Sequence, residues 1–357
     1  MASLQSVITA TGSYLPDHIV FNSDFINRLF LQKDGVINPG NNQRNIEKFK
    51  EITGIEQRRY AGKDQNASDL ALLSAKDALE SGNIDKESLD YIIVAHNFGD
   101  VSYDSNRINI VPSLATRVKF HLQIKNPNCI AYDLVFGCPG WLQGLIQANY
   151  YIRSGDARRC LIIGTETLSR VIDEHDRDSM IYADGAGAVL VEAVQHTDTG
   201  IISHHTQTYA SEHAMLLTMG RSYNPAYDNK DTFIKMNGRA LYEFALNNVP
   251  QVVKQTLDKA QVHISEVKKV LIHQANEKMD QAILQRLFKL YDINSFPGDI
   301  MPMTISWLGN SSVATIPTLL DLILKNKLDQ QLIMPEDKVV FASVGAGMNI
   351  NALLYQF

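Results

Sequence analysis

Ala131-Tyr132-Asp133-Leu134-Val135-Phe136-Gly137-Cys138-Pro139-Gly140-Trp141 is the stretch on which the fold turns. Residues 131–136 read as a buried strand. From Pro139 the pattern becomes helical through Leu142, Leu145, Ile146, Tyr150 and Ile152, and it stops at Gly155. Proline suits a first helical turn because its missing N–H has no partner there. Cys138 is thus expected at a helix N-terminus, where free N–H groups and the helix dipole stabilise a thiolate. A tight turn also lifts a nucleophile clear of its sheet. Packing as a small hydrophobe is the commoner fate of a cysteine, and Cys129 and Cys160, in or beside apolar strands, take that reading. At Cys138 the flanking Gly137 and Gly140 tip the balance, since they leave room for a thioester and its acyl chain.

Outward from this elbow the chain is written twice. Ala75 to Asn97 runs as a helix end, a polar turn and a β-branched strand, and Val253 to Asn276 follows the same grammar. At a constant offset of 178 residues Lys76 meets Lys254, Leu79 meets Leu257, Ile84 meets Val262, and Ile92-Ile93-Val94 meets Val270-Leu271-Ile272. Gly137-Cys138 has its echo in Gly309-Asn310, and Asp184-Gly185-Ala186-Gly187 in Val344-Gly345-Ala346-Gly347. Alternating helix and strand units imply an α/β fold of two duplicated halves, with mainly parallel sheets under layered helices. The polar, turn-like Gln195-His196-Thr197-Asp198-Thr199-Gly200 divides the halves, giving 1–195 with the cysteine and 196–357 with the histidine and asparagine.

Composition bounds the function. With 357 residues, 45% hydrophobic and 20% charged, there is ample material for a core. A net charge of -6 argues against a nucleic-acid partner, which needs a basic face. Three cysteines are too few and too irregular for a disulfide framework or a zinc site, and His204-His205 is an isolated pair without ligand spacing. No cofactor is called for. Met1-Ala2-Ser3-Leu4-Gln5 lacks the pattern of a signal peptide, and no apolar run reaches the ~18 residues of a membrane span. The expected location is cytoplasmic.

A strand ends at His273, and a glycine turn delivers Asn310 to a helix start. Alone, the first reads as a structural histidine and the second as a helix cap. Duplication changes both readings. If Cys138 and Asn310 sit on equivalent elbows, a pseudo-twofold axis brings them face to face with His273 beside them. That places a nucleophile next to two groups able to bind a developing oxyanion.

With these residues in hand, the chain resembles the β-ketoacyl-ACP synthase III family of thiolase-fold condensing enzymes over essentially its whole length. The resemblance rests on Ala10-Thr11-Gly12-Ser13-Tyr14-Leu15-Pro16, Thr53-Gly54-Ile55 with Arg58-Arg59, the Cys138 elbow, Asp184-Gly185-Ala186-Gly187, His273-Gln274-Ala275-Asn276 and Gly309-Asn310-Ser311-Ser312. It implies a layered αβαβα thiolase-like fold. It assigns Cys138 as acyl acceptor and gives His273 and Asn310 the promotion of malonyl decarboxylation. The backbone amides of Cys138 and Ala346 become the oxyanion hole. Arg177 and Asn276 fall along the pantetheine channel, and Lys278 stands where an arginine usually docks the acyl carrier protein.

Departures from the family pattern bear on the donor. Lys48 and Ile52 occupy the places of a tryptophan and an arginine that clamp the CoA adenine, and Asp178 replaces a glycine after Arg177. Residues 28–50 are longer than the family norm, and Val111 is not the glutamate base of non-decarboxylating relatives. The reading is a homodimeric acyltransferase that loads an acyl group on Cys138. It then condenses that group with a malonyl- or β-ketoacyl-thioester, with acyl carrier protein the preferred donor and CoA possible. A specialised ketosynthase making dialkylresorcinols or pyrones is the nearest alternative. A non-catalytic carrier-protein-binding paralogue is a remote one.

Overall fold

The computed structural model describes residues 4–103, 105–227 and 230–357, so the opening Met1-Ala2-Ser3 lies outside the described residues. Two sheets carry the fold. The first takes β1 (Leu4–Tyr14), β2 (Tyr91–Ala95), β3 (Ile130–Leu134), β4 (Arg159–Thr167) and β5 (Asp184–Gln195), in the order β1-β5-β4-β2-β3. The second takes β6 (Gly200–Thr208), β7 (Val267–Ile272), β8 (Lys338–Gly345) and β9 (Asn349–Gln356), in the order β6-β9-β8-β7. Strand β2 pairs in parallel with β3 and β4, and β7 with β8. The remaining ladders, β1·β5, β4·β5, β6·β9 and β8·β9, are antiparallel. The α/β class holds, and the sheets are mixed: in each, the parallel ladders run out to one edge and the antiparallel ladders fill the other side.

Helices α2 (Ala67–Ser81) and α3 (Leu114–His121) cover the outer face of the first sheet, and α4 (Gly140–Ser154) covers its inner face. In the second half, α5 (Gly238–Ala260) and α6 (Glu277–Lys289) lie outside and α7 (Thr315–Leu324) lies inside. Strand alternation sorts the core. Ile92 and Val94 face α2, while Ile93 and Ala95 face α4 and α7. In β7, Val270 and Ile272 face α5 and α6, while Leu271 points to the central helices. Because both faces are covered, these strands are apolar at every position rather than at every second one. The result is five layers, α/β/α/β/α.

The repeat is visible down to its turns. The turn before β2 is a short 3-10 helix at Lys86–Ser88, and the turn before β7 is another at Ile264–Glu266, again offset by 178 residues. The two elbows match as well, with φ of 69° at Gly137 and 68° at Gly309. The third echo fails. Asp184–Gly187 opens β5, whereas Val344 and Gly345 close β8 and Ala346-Gly347 turns into β9, so the two runs occupy different places in their sheets. Glycines are needed at both for close packing, and that need does not imply equivalence. A second correction concerns the strand before the cysteine. Strand β3 is the edge of its sheet, with Ile130 and Val135 exposed, rather than the buried strand that its apolar run suggested.

Candidate active site

Cys138 follows the β3 edge strand through a left-handed Gly137. Pro139 is the N-cap of α4, so the cysteine stands one residue ahead of the cap and two ahead of the first helical residue, Gly140. It is partly accessible and lines a cavity of about 800 Å³. Protein nevertheless surrounds it closely enough that burial pushes its thiol up to about 11, with the nearby Glu166 adding to the rise and a hydrogen bond from Ser312 opposing it. Desolvation thus opposes the stabilisation of a thiolate that a position near a helix start would give.

Asn310 arrives from the second half on the matching elbow. Its backbone is pinned on both sides, Asn310 N–H donating to the Ile181 carbonyl at 3.0 Å and Ala183 N–H donating to the Asn310 carbonyl at 2.8 Å. Its side-chain Oδ1 accepts from Ser312 N–H at 2.8 Å, which leaves the amide Nδ2 as a donor for a ligand. His273 is the first residue past β7, and its N–H donates to Ala342 of β8 at 2.9 Å. The imidazole is buried and its Nδ1 has no partner among the described residues. Burial holds its pKa down to about 4, against a hydrogen bond with the Ser312 backbone, so the ring is neutral at physiological pH. A neutral imidazole and a primary amide can both hydrogen-bond an enolate oxygen without first having to lose a proton.

The turn at Gly345-Ala346 closes on the cysteine elbow. A β-carbon placed on Gly345 would lie 2.5 Å from the Cys138 nitrogen, and one on Gly137 would lie 2.8 Å from the Ala346 nitrogen. The two backbone amides thus sit on turns in direct contact. Cys138, His273, Asn310 and Ala346 all border the one cavity, whose apolar walls include Leu168, Ile181, Leu217 and Ile234. Arg177 and Asn276 line it too, Asn276 also capping α6 by accepting from Met279 N–H at 3.0 Å.

Lys278 does not border the cavity. It pairs with Glu51 on α1 (Asn42–Thr53) at 3.3 Å, both side chains being exposed. Arg286, on the same helix, donates to Asn247 Oδ1 at 2.5 Å. The charge of Lys278 is therefore partly compensated by Glu51. Lys48 and Ile52, also on α1, border the cavity together with Asp178. The Asp178 carboxyl is pushed up to about 6 by burial and by Asp176, with Arg177 pulling the other way.

Three neighbours of the cysteine escaped the sequence reading of the site. Ser312 Oγ donates to Cys138 Sγ at 3.2 Å, Asn97 Nδ2 donates to Ser312 Oγ at 3.0 Å, and the same amide donates to Glu166. Only Ser312 had any signal, as a member of the Gly309-Asn310-Ser311-Ser312 run.

Comparison with known proteins agrees with this geometry. Residues 132–210 match the family model described as 3-oxoacyl-[acyl-carrier-protein] synthase III, and residues 257–357 match that of its C-terminal region. The chain is 30% identical over 358 residues to a beta-ketoacyl-[acyl-carrier-protein] synthase III of Erythrobacter litoralis (strain HTCC2594), covering 99% of this chain and 100% of that protein. The crystal structure of the corresponding synthase from Aquifex aeolicus VF5 superposes with a TM-score of 0.78 at 28% identity, over 99% of this chain and 100% of the other. That from Thermus thermophilus gives 0.80 at 28% identity, over 98% of each.

Proposed function

The chain belongs to the 3-oxoacyl-[acyl-carrier-protein] synthase III family, and from that premise we propose that it loads an acyl group on Cys138 and extends it by decarboxylative condensation. The observation that carries the proposal is the convergence of Cys138, His273 and Asn310 on one cavity, with the imidazole neutral. In the first half-reaction the cysteine sulfur attacks the carbonyl of an acyl thioester. A new carbon–sulfur bond forms, the donor's carbon–sulfur bond breaks, and the donor thiol departs with the cysteine's proton. In the second, a malonyl thioester loses carbon dioxide, and its enolate oxygen is held by His273 and Asn310. The enolate carbon then attacks the acyl carbonyl, whose oxygen is held by the amides of Cys138 and Ala346. The carbon–carbon bond forms and Cys138 leaves as thiolate.

Acyl carrier protein is the proposed donor, and Lys278 with the rest of α6 its proposed landing site, with Arg177 and Asn276 along the pantetheine arm. The pair 1–195 and 196–357 is proposed as the two structural halves, supported by the segregation of strands 4–195 and 200–356 into separate sheets. A homodimer is proposed on the exposure of the β3 edge and its surroundings, where Ile130, Val135, Val111 and Phe120 leave apolar surface uncovered.

The size and apolar walls of the cavity favour a second reading, a specialised ketosynthase acting on acyl chains longer than acetyl. A cavity of this volume belongs to the range that encloses drug-sized ligands. Incubation with acyl thioesters from acetyl to dodecanoyl, on CoA and on carrier protein, followed by intact-protein mass spectrometry, tests both. A single acyl adduct mapped to Cys138, discharged by malonyl-carrier protein with a carbon–carbon product, is the expected result. Preference for acetyl would favour initiation, and preference for the longer chains the specialised reading. No adduct with any donor would refute the proposal.

A further inference from the structure

Behind the cysteine lies a polar chain that the condensation chemistry above does not use. It begins at Glu166 on β4, a carboxyl with almost no solvent exposure. Asn97, two residues past the end of β2, donates from one amide nitrogen both to Glu166 Oε1 and to Ser312 Oγ. Ser312 in turn donates to Cys138 Sγ. The serine is held in the left-handed region at φ 52°, a conformation uncommon for a residue with a side chain. The bonding is directional. An amide N–H can only donate, so Asn97 occupies a lone pair of Ser312 Oγ, whose proton is shared between Cys138 Sγ and the Glu166 carboxyl that also hydrogen-bonds it.

We propose that Glu166 is a positioning residue, which through Asn97 and Ser312 aims a hydrogen bond at Cys138 and favours its thiolate during loading. The proposal rests on the reading of Cys138 as acyl acceptor only for its purpose, since the network itself can be tested without any acyl substrate. Burial pushes the Glu166 carboxyl well above the usual carboxylate range, with Asp184 on the neighbouring β5 adding to the rise and hydrogen bonds from Asn97 and Ser312 opposing it. Glu166 by its own charge would raise the Cys138 thiol, so the benefit proposed here passes through Asn97 and Ser312 and not from the carboxyl directly. The other titratable groups around Cys138 are Tyr182, held protonated by burial, and the neutral His273 on the same cavity wall.

The test is the second-order rate of alkylation by iodoacetamide, mapped to Cys138 by peptide mass spectrometry and followed from pH 6 to 10 on the full chain. Loss of one hydrogen bond to a charged group raises a thiol pKa by about one to two units. The rise in intrinsic nucleophilicity returns about half of that on the logarithmic scale. S312A and N97A should therefore alkylate about three- to tenfold more slowly at each pH, with E166L alongside them. E166Q, which keeps the acceptor, should recover the rate lost in E166L. If E166L fails to fold, N97A and E166Q still decide the matter. Wild-type rates in N97A, or E166Q as slow as S312A, would overturn the proposal. Faster alkylation of E166Q than of wild type would also overturn it, because it would show that the carboxyl carries a charge. Slowed alkylation with unchanged mass-spectrometric loading would overturn the role in loading while leaving the acyl-acceptor reading intact.

Discussion

Gly345→Ala isolates the contact between the two turns that carry the oxyanion amides. Gly345 has φ -163° and ψ -165°, extended backbone open to any residue, so the substitution introduces no backbone strain. Its effect is steric. The new methyl would stand 2.5 Å from the Cys138 nitrogen, 2.8 Å from Pro139 Cδ and 2.9 Å from Cys138 Cβ. Ordinary contact begins near 3.4 Å, so the turns must separate by about 0.9 Å. Overpacking on this scale costs about 1–3 kcal/mol. In a chain of this length that is a fall in Tm of roughly 1–4 °C. The same displacement takes at least one amide out of the 2.7–3.1 Å range, and losing one such donor costs about 10²–10³ in rate. Single-turnover condensation, quenched and read by mass spectrometry beside a thermal melt, measures both quantities. Gly155→Ala is the control. Gly155 caps α4 at φ 85° with nothing within 4 Å of a new methyl, at the far end of a helix of 15 residues, about 22 Å long, from the end that follows the cysteine. It should cost about 1–2 kcal/mol in strain and leave the rate alone. Full activity in Gly345→Ala, or an equal loss in Gly155→Ala, would refute the reasoning.

Cys138→Ser should give no acyl-enzyme while its melt stays close to wild type, and acylation mapped to Cys129 or Cys160 would refute the assignment. His273→Ala and Asn310→Ala should still load Cys138 but condense about 10²–10³-fold more slowly; mutants that condense normally and fail only to load would reverse the roles. Because the neutral imidazole titrates near 4, condensation should show no loss assignable to His273 as pH falls from 8 to 5.5, and a descending limb near 6.5 that vanishes in His273→Ala would show the ring to be less buried than described. Lys278→Glu should raise KM for a carrier-protein thioester far more than for the CoA ester, with the gap closing at high salt, and equal effects on the two donors would exclude α6 as the landing site.

What the sequence displayed well was whatever the backbone must announce locally. The elbows at Gly137 and Gly309 need a left-handed residue, so glycine marks them, and the helix after each follows from its period. The 178-residue offset was legible because helix, turn and strand recur in one order. What it hid depends on neighbours distant in the chain. A thiol's pKa depends on how completely the other half encloses it, which proximity to a helix start does not reveal. Glu166 sits in an ordinary strand end, Thr165-Glu166-Thr167, and nothing local distinguishes it from a solvated acid. The apolar run before Cys138 could not tell a strand already covered from one at an edge. Glycine-rich runs at 184–187 and 344–347 looked alike because both meet close-packed backbone.

The protonated state of Cys138 has a bearing on how this protein survives between turnovers. Peroxide attacks thiolates, and burial that pushes the Cys138 thiol up to about 11 keeps its thiolate fraction low at neutral pH. A helix-activated cysteine titrating near 7 would be about half thiolate, and would climb the ladder to sulfenic and sulfinic acid correspondingly faster. Enclosure by the two halves therefore works as a shelf life. A sulfur so enclosed should be oxidised only slowly by peroxide at neutral pH.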